Sequence, residues 1–246
     1  MNVSHSERKE NLFAFPSQRN VNEVNNTNFT NNMKDIAIFG AGGLGRETAI
    51  LIDFINKAGG DWNLIGFFDD GKEKGIQISH FGKVLGGVAE INIWSTELAI
   101  VIGIGNPKSV KGVRERITNP KVYFPNVISP TATIADPETF KIGEGNIVGG
   151  GTWVSTDVTI GSFNLFNGDT VMGHDVTIGN YNTIMPDIRI SGEVTIGDCN
   201  LLGVGSIILQ QLKIGNGVHL GAGAVLMTKP KDNNTYLGNP AKLFKY

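Results

Sequence analysis

Three groups of residues in this chain have types and spacing suited to chemistry. The first is His174 followed by Asp175, in "VMGHDVTIG". An imidazole titrates near neutrality and can accept a proton at pH 7 without large tuning, and an adjoining carboxylate can orient it or raise its basicity. The second is "GAGGLG" at 40–45, a G-x-G-x-x-G pattern after a strand signal and before a helix signal. That context suits phosphate held on backbone N–H groups at a helix N-terminus. Asp69 and Asp70 end the next strand signal, and "GIGNP" at 103–107 places Gly103 beside the same crevice. The third is Cys199, the only cysteine. It reads as a small packed residue, not a nucleophile, because the positions 18 residues away on either side are Tyr181 and Gly217.

Composition narrows the classes of function. The formal charge is −2, with no basic block, so neither nucleic acid nor an anionic membrane is an expected partner. A single cysteine cannot form a disulfide within the chain, which fits a reducing cytoplasm. No run of 18 apolar residues is present to span a bilayer, and no signal-peptide core stands at the start. Metal chemistry is limited by counting. The C-terminal repeat region has only His174 and His219, too few for a three-His zinc site from one chain, so no metal is expected. His219 adjoins Leu220 and is expected to face outward.

The elements that must position these groups fall in three regions. Residues 1–32 contain nine Asn and few apolar residues, so they are expected to be a disordered extension, with Met33 a candidate initiator. From 33 to about 126, strand and helix signals alternate: "DIAIFG", "RETAILIDFINKAG", "WNLIGFFDD", "ELAIVIGIG", "NPKSVKGVRERI" and "KVYFPNVI". This order predicts a small Rossmann-like parallel α/β domain, one mononucleotide-binding half, better suited to a nucleotide or nucleotide-sugar than to a dinucleotide.

From 127 onward the pattern changes. Every sixth residue from Ile142 to Leu226 is apolar over fifteen positions, and nine of these are followed by Gly. "FKIG", "VTIG" (three times) and "LKIG" recur 18 residues apart. A period of six fits neither a helix nor a simple strand alternation. It is the period of a parallel β-helix with three short flat sides per coil. The aliphatic residue points inward, and the following Gly is expected to allow the corner. This places His174, two residues after inward Met172, at a corner outside the core. Its neighbours one coil away are Thr156 and Gly192, and Gly192 is expected to leave space beside the imidazole. "YLGNPAKLF" at 236–244 ends the repeat and turns the chain back, closing a domain over 127–246.

Together, "IFGAGGLGRE", "FFDD", "VLGG", "GHDVTIG" and "GNPAK" resemble the sialic acid O-acetyltransferase and UDP-amino-sugar N-acetyltransferase group of hexapeptide-repeat enzymes (NeuD/PglD-like), over residues 34–246. The resemblance implies a left-handed β-helix, a homotrimer with sites between neighbouring β-helices, acetyl-CoA along that groove, and a sugar or nucleotide-sugar acceptor held partly by the N-terminal domain. It implies His174 as general base with Asp175 as partner. Gly43, Leu44, Gly45, Asp69 and Asp70, with Gly103 in the same crevice, would contact the acceptor. Thr183, Gly192, Gly221 and Ala222 would contact acetyl-CoA. Two positions depart from the family pattern: Gly173, where a polar residue often precedes the His, and Thr183, where a second His often stands. The expected chemistry is acetyl transfer by direct attack, with a backbone N–H such as that of Gly192 stabilising the oxyanion. Two alternatives are a non-catalytic trimeric partner that binds sugar nucleotides and a small-acceptor acetyltransferase of the serine type.

Overall fold

The computed structural model describes residues 33–245. The expectations for residues 1–32 lie outside the described residues.

The N-terminal half builds a parallel sheet. Its elements are β1 (Lys34–Phe39), α1 (Gly43–Lys57), β2 (Trp62–Phe68), β3 (Val84–Gly86), α2 (Val88–Asn92), β4 (Leu98–Ile102), α3 (Pro107–Arg116) and β5 (Val122–Tyr123). The strand order is β3-β2-β1-β4-β5. β1 and β4 are buried along almost their whole length, as expected of strands covered on both faces. The order reverses between β1 and β4, and a ligand crevice opens at such a switch point. "KVYFPNVI" is not one strand. Val122–Tyr123 joins this sheet, and Val127–Ile128 becomes the first rung of the next structure. Pro125, between them, has no N–H to give to a ladder.

The second half is a left-handed parallel β-helix of two-residue strands on three sides. The first side runs from Val127–Ile128 to His219–Leu220. The second runs from Thr133–Ile134 to Val225–Leu226, and the third from Lys141–Ile142 to Lys213–Ile214. The 18-residue register holds throughout the middle coils: Met172 pairs with Val154 below and Ile190 above. Only the first coil is longer, with Trp153 opposite Thr133. The inward aliphatics form one continuous core from Val148 to Leu226. The chain then adds Thr235–Leu237 parallel to the first side and turns back in Lys242–Phe244.

The glycine that follows each inward residue does not make the corner, contrary to expectation. Left-handed backbone occurs two residues later, at Gly145, Gly151 and every sixth residue on through Asp157, Asp175, Glu193 and Gly223. The glycines one step after the inward residue serve close stacking instead. A Cβ on Gly161 would stand 2.5 Å from the Gly179 carbonyl oxygen of the next coil, and one on Gly173 would stand 2.7 Å from the Gly192 nitrogen. A buried asparagine ladder ties the coils at another corner. The Oδ1 of Asn146 accepts the N–H of Asn164 at 2.9 Å, and the Oδ1 of Asn164 accepts that of Asn182 at 2.8 Å. Each side-chain Nδ2 donates to a carbonyl of the following coil, such as Gly179 from Asn164 at 2.9 Å.

The α/β domain sits on the first side. Val127, Ile147 and Leu165 point outward from that side into a core shared with Ile38, Ala49 and Ile52. Arg114 of α3 lies over the rings of Phe124 and Phe163, and Tyr181 stacks on Phe163 at 5.4 Å. Among the described residues, the other two sides carry no such cover. The third presents Lys141, Thr159, Thr177, Thr195 and Lys213 to solvent. The second is more apolar: Trp153 is 46% exposed and Ile207 37%, with Val171 half-buried.

Candidate functional site

The glycine turn lies at the end of β1, where the strand order reverses. The three glycines at the fixed positions of the G-x-G-x-x-G pattern do different work. Gly40 has φ 107°, and a Cβ there would stand 2.8 Å from the Gly103 carbonyl oxygen. Gly45 is buried against the Gly40 carbonyl, which a Cβ would strike, so it serves helix-on-strand packing and does not line the crevice as expected. Gly42, by contrast, is the N-cap of α1, and a Cβ there would meet nothing within 4 Å. The resulting cleft, about 530 Å³, is lined by Gly42, Gly43, Leu44, Asp69, Asp70 and Gly103 with Arg116 of α3. The structure thus brings together five of the six residues expected to hold the acceptor.

The two acids are held by their surroundings. Asp69 accepts the N–H of Ala41 at 2.8 Å and that of Gly71 at 2.9 Å, so it fixes the glycine turn as well as facing the cleft. Asp70 accepts the Val88 N–H at 2.9 Å and pairs with Arg116 at 2.7 Å. Burial pushes the Asp70 carboxyl up, but the Val88 N–H and the Arg116 guanidinium outweigh it and hold the group below its ordinary value. Arg116 is a cleft residue that the sequence reading missed. Its place follows from the packing of α3 beside β4, which no local motif marks.

His174 stands at the corner between the second and third sides. Its Nδ1 lies 2.7 Å from Asp175 Oδ2. With the proton on Nδ1, given to that carboxylate, Nε2 is left as an acceptor, the tautomer a general base requires. The imidazole leans over Gly192, where a Cβ would come within 2.6 Å of Nε2. The space expected beside the ring is therefore filled by the ring itself, and Gly192 is the residue that admits it. No acceptor among the described residues takes the Gly192 N–H. Thr156, on the other side of the column, is committed elsewhere: its hydroxyl donates to Asp136 Oδ2 at 2.7 Å. His174 and Asp175 are each more than half exposed, 56% and 57% at the side chain, so one chain alone does not exclude water from this pair.

The residues expected to contact acetyl-CoA separate. Thr183 is buried on the first side and donates its hydroxyl to the Gly105 carbonyl at 2.9 Å. It ties the two halves of the chain together and is not available to a cosubstrate, which corrects the expectation. Gly221 is buried beneath Leu237 of the C-terminal hairpin. Ala222 is exposed, at the corner between the first and second sides. It stands at the opposite end of the second side from Gly192. Cys199 is half-buried, and burial pushes its thiol up, away from thiolate chemistry. His219 faces outward on the first side, half-buried. No group of three or more His, Cys, Asp or Glu among the described residues could hold a metal ion.

Known proteins share parts of this sequence and its fold. Residues 35–119 match the PglD N-terminal domain family. The acetyltransferase domain of PglB from Neisseria gonorrhoeae FA1090, in complex with acetyl coenzyme A, is 28% identical, with a TM-score of 0.77 over 87% of this chain and 100% of that one. WeeI from Acinetobacter baumannii AYE is 27% identical, with a TM-score of 0.73 over 86% and 100% of the two chains. PerB from Caulobacter crescentus, in complex with CoA and GDP-perosamine, shares the fold at 23% identity, with a TM-score of 0.73 over 86% and 97%. No curated protein matches the sequence. No helix among the described residues is long and apolar enough to cross a membrane.

Proposed function

We propose that this protein transfers an acetyl group from acetyl-CoA to a hydroxyl or amine of a sugar, with residues 33–126 holding a nucleotide-linked acceptor and residues 127–246 carrying the transfer. The observation that carries this reading is the His174–Asp175 pair, with Nδ1 held at 2.7 Å and Nε2 free over the Gly192 backbone. Nε2 removes the acceptor proton as the acceptor attacks the thioester carbonyl. The Gly192 N–H, which has no acceptor among the described residues, would stabilise the oxyanion. The electron pair returns to expel the CoA thiolate, which takes the proton back from Nε2 and leaves as the thiol. The glycine turn at the α1 N-terminus, with Arg116 beside it, suits a diphosphate. Likeness to a fold that binds acetyl-CoA in the PglB domain supports the donor.

The cleft and His174 of one chain do not face each other. The cleft belongs to the domain seated on the first side, and His174 stands at the corner opposite that side. We infer a homotrimer in which the second sides, with exposed Trp153 and Ile207, pack around a three-fold axis. Each His174 corner then meets the neighbour's opposite corner, where that neighbour's Ala222 and α/β domain lie. This arrangement reunites the separated residues and excludes water from the imidazole. General-base help is worth about 10²–10⁴-fold. His174→Ala is expected to lose about that much acceptor-dependent CoA release while light scattering still gives the trimer mass. Near-normal turnover in that trimeric variant would remove the reading.

A further inference from the structure

On the first side of the prism, Thr183 stacks between Leu165 and Leu201 at the outward position. It is only 2% exposed, because the α/β domain covers it. A buried hydroxyl is costly unless it is bonded, and an aliphatic residue would suit this covered side as its neighbours do. The Thr183 hydroxyl is bonded: it donates to the Gly105 carbonyl at 2.9 Å. That carbonyl belongs to the connection between β4 and α3, in which Gly103, Ile104 and Gly105 line the cleft at the glycine turn. The ends of the connection are fixed within the α/β domain. The Gly103 N–H donates to the Phe39 carbonyl at 2.8 Å, and Asn106 Oδ1 accepts the Ser109 N–H at 3.1 Å to cap α3. Between those points the N–H groups of Ile104 and Gly105 have no acceptor among the described residues, so water or a ligand must satisfy them. The middle of this cleft wall is thus tied by the Thr183 bond, and its anchor lies on the prism.

We propose that Thr183 is a positioning residue of the acceptor site: its hydroxyl fixes the cleft wall at 103–106 to the β-helix, so that a bound nucleotide meets a preformed surface. The inference rests on the reading that this cleft holds a nucleotide-linked acceptor, and its test uses binding and not turnover. Thr183→Val nearly keeps the shape of the side chain and removes the donor. Gly105 is exposed, so water takes over its carbonyl and the fold is expected to hold. The freed wall must then be ordered by the ligand, which lowers affinity by up to what the lost bond contributed, about tenfold. Calorimetric titration of UDP, GDP and dTDP, without acetyl-CoA, compares the wild type with Thr183→Val and Thr183→Ser. At least one diphosphate is expected to bind the wild type and to bind the Val variant about tenfold more weakly. The Ser variant, which keeps the hydroxyl, is expected to stay within about twofold of wild type. Hydrogen exchange over 103–106 is expected to quicken in the Val variant alone. Equal affinity in the wild type and the Val variant overturns the proposal and leaves the cleft reading standing. A Ser variant as weak as the Val variant also overturns it, by assigning the effect to packing. A wild type that binds none of the three overturns the cleft reading and this proposal together. The expected pattern of binding without acceptor-dependent CoA release would remove acetyl transfer and uphold the role of Thr183.

Discussion

Gly42→Asp separates the two halves of the proposed site. Gly42 is the N-cap of α1, in extended backbone at φ −88°, and a side chain there meets nothing within 4 Å. Asp is a better N-cap than Gly by a few tenths of a kcal/mol, so the fold is expected to hold or gain slightly. The new carboxylate, however, enters the cleft where a diphosphate must sit. Two unit charges about 4 Å apart repel by about 4 kcal/mol at an effective dielectric constant near 20. That corresponds to a loss of about a thousandfold in acceptor affinity. His174→Ala removes the base and leaves the cleft intact. Neither variant is expected to work alone. If each site takes its cleft from one chain and its imidazole from the next, a random 1:1 mixture, refolded together, has about a quarter of its sites with a sound cleft facing a sound His174. The assay is thiol release from acetyl-CoA with a saturating acceptor, before and after subunit exchange. Recovery of about a quarter of wild-type rate is the expected result. No recovery, with exchange verified by mass, refutes the trans arrangement and with it the face assigned to the trimer.

Three further outcomes follow from packing and charge. Gly45→Ala is expected to cost about 1–3 kcal/mol in urea denaturation, because its Cβ strikes the Gly40 carbonyl, whereas Gly42→Ala, which meets no atom within 4 Å, is expected to cost only the poorer capping of Ala, about 0.5–1 kcal/mol. Asn164→Ala strands the buried N–H of Asn182 and breaks the ladder, with an expected loss of about 3 kcal/mol by the same measurement. Asp70 is held below its unfolded value by Val88 and Arg116, so its contribution to stability is present above the unfolded carboxylate pKa of about 4 and is lost as pH falls through the lower folded value. Melting curves of wild type and Asp70→Asn should therefore differ at pH 6 and converge in the acid limit; a difference that grows as pH falls would contradict the assignment.

Much of this was legible in the sequence because it is periodic or local. The hexad sets the inward residue of every side, and the 18-residue step alone puts Gly192 over His174. The G-x-G-x-x-G turn carries its own context. Signals also exist that the motif reading passed over. The asparagines at 146, 164, 182 and 200 stand 18 apart, the mark of the ladder. Outward positions of the first side read Ile147 and Leu165, while those of the third read Thr159 and Thr177, a difference that marks the covered side. Other features have no such mark. Arg116 reaches the cleft only because α3 lies beside β4, and Thr183 meets Gly105 only because the α/β domain docks on the first side.

The sequence by itself determined the prism, its register and the chemistry of its one corner imidazole, since each follows from spacing along a chain whose coils stack on their own neighbours. Only the tertiary structure decided how the α/β domain and the C-terminal hairpin seat against the prism. That choice turned Thr183 from an expected cosubstrate contact into an interdomain hydrogen bond, buried Gly221 under the returning hairpin, and put the cleft at the glycine turn across the prism from His174. These outcomes depend on contacts between segments tens of residues apart, where complementary shape decides the pairing, and residue type and spacing carry no record of shape.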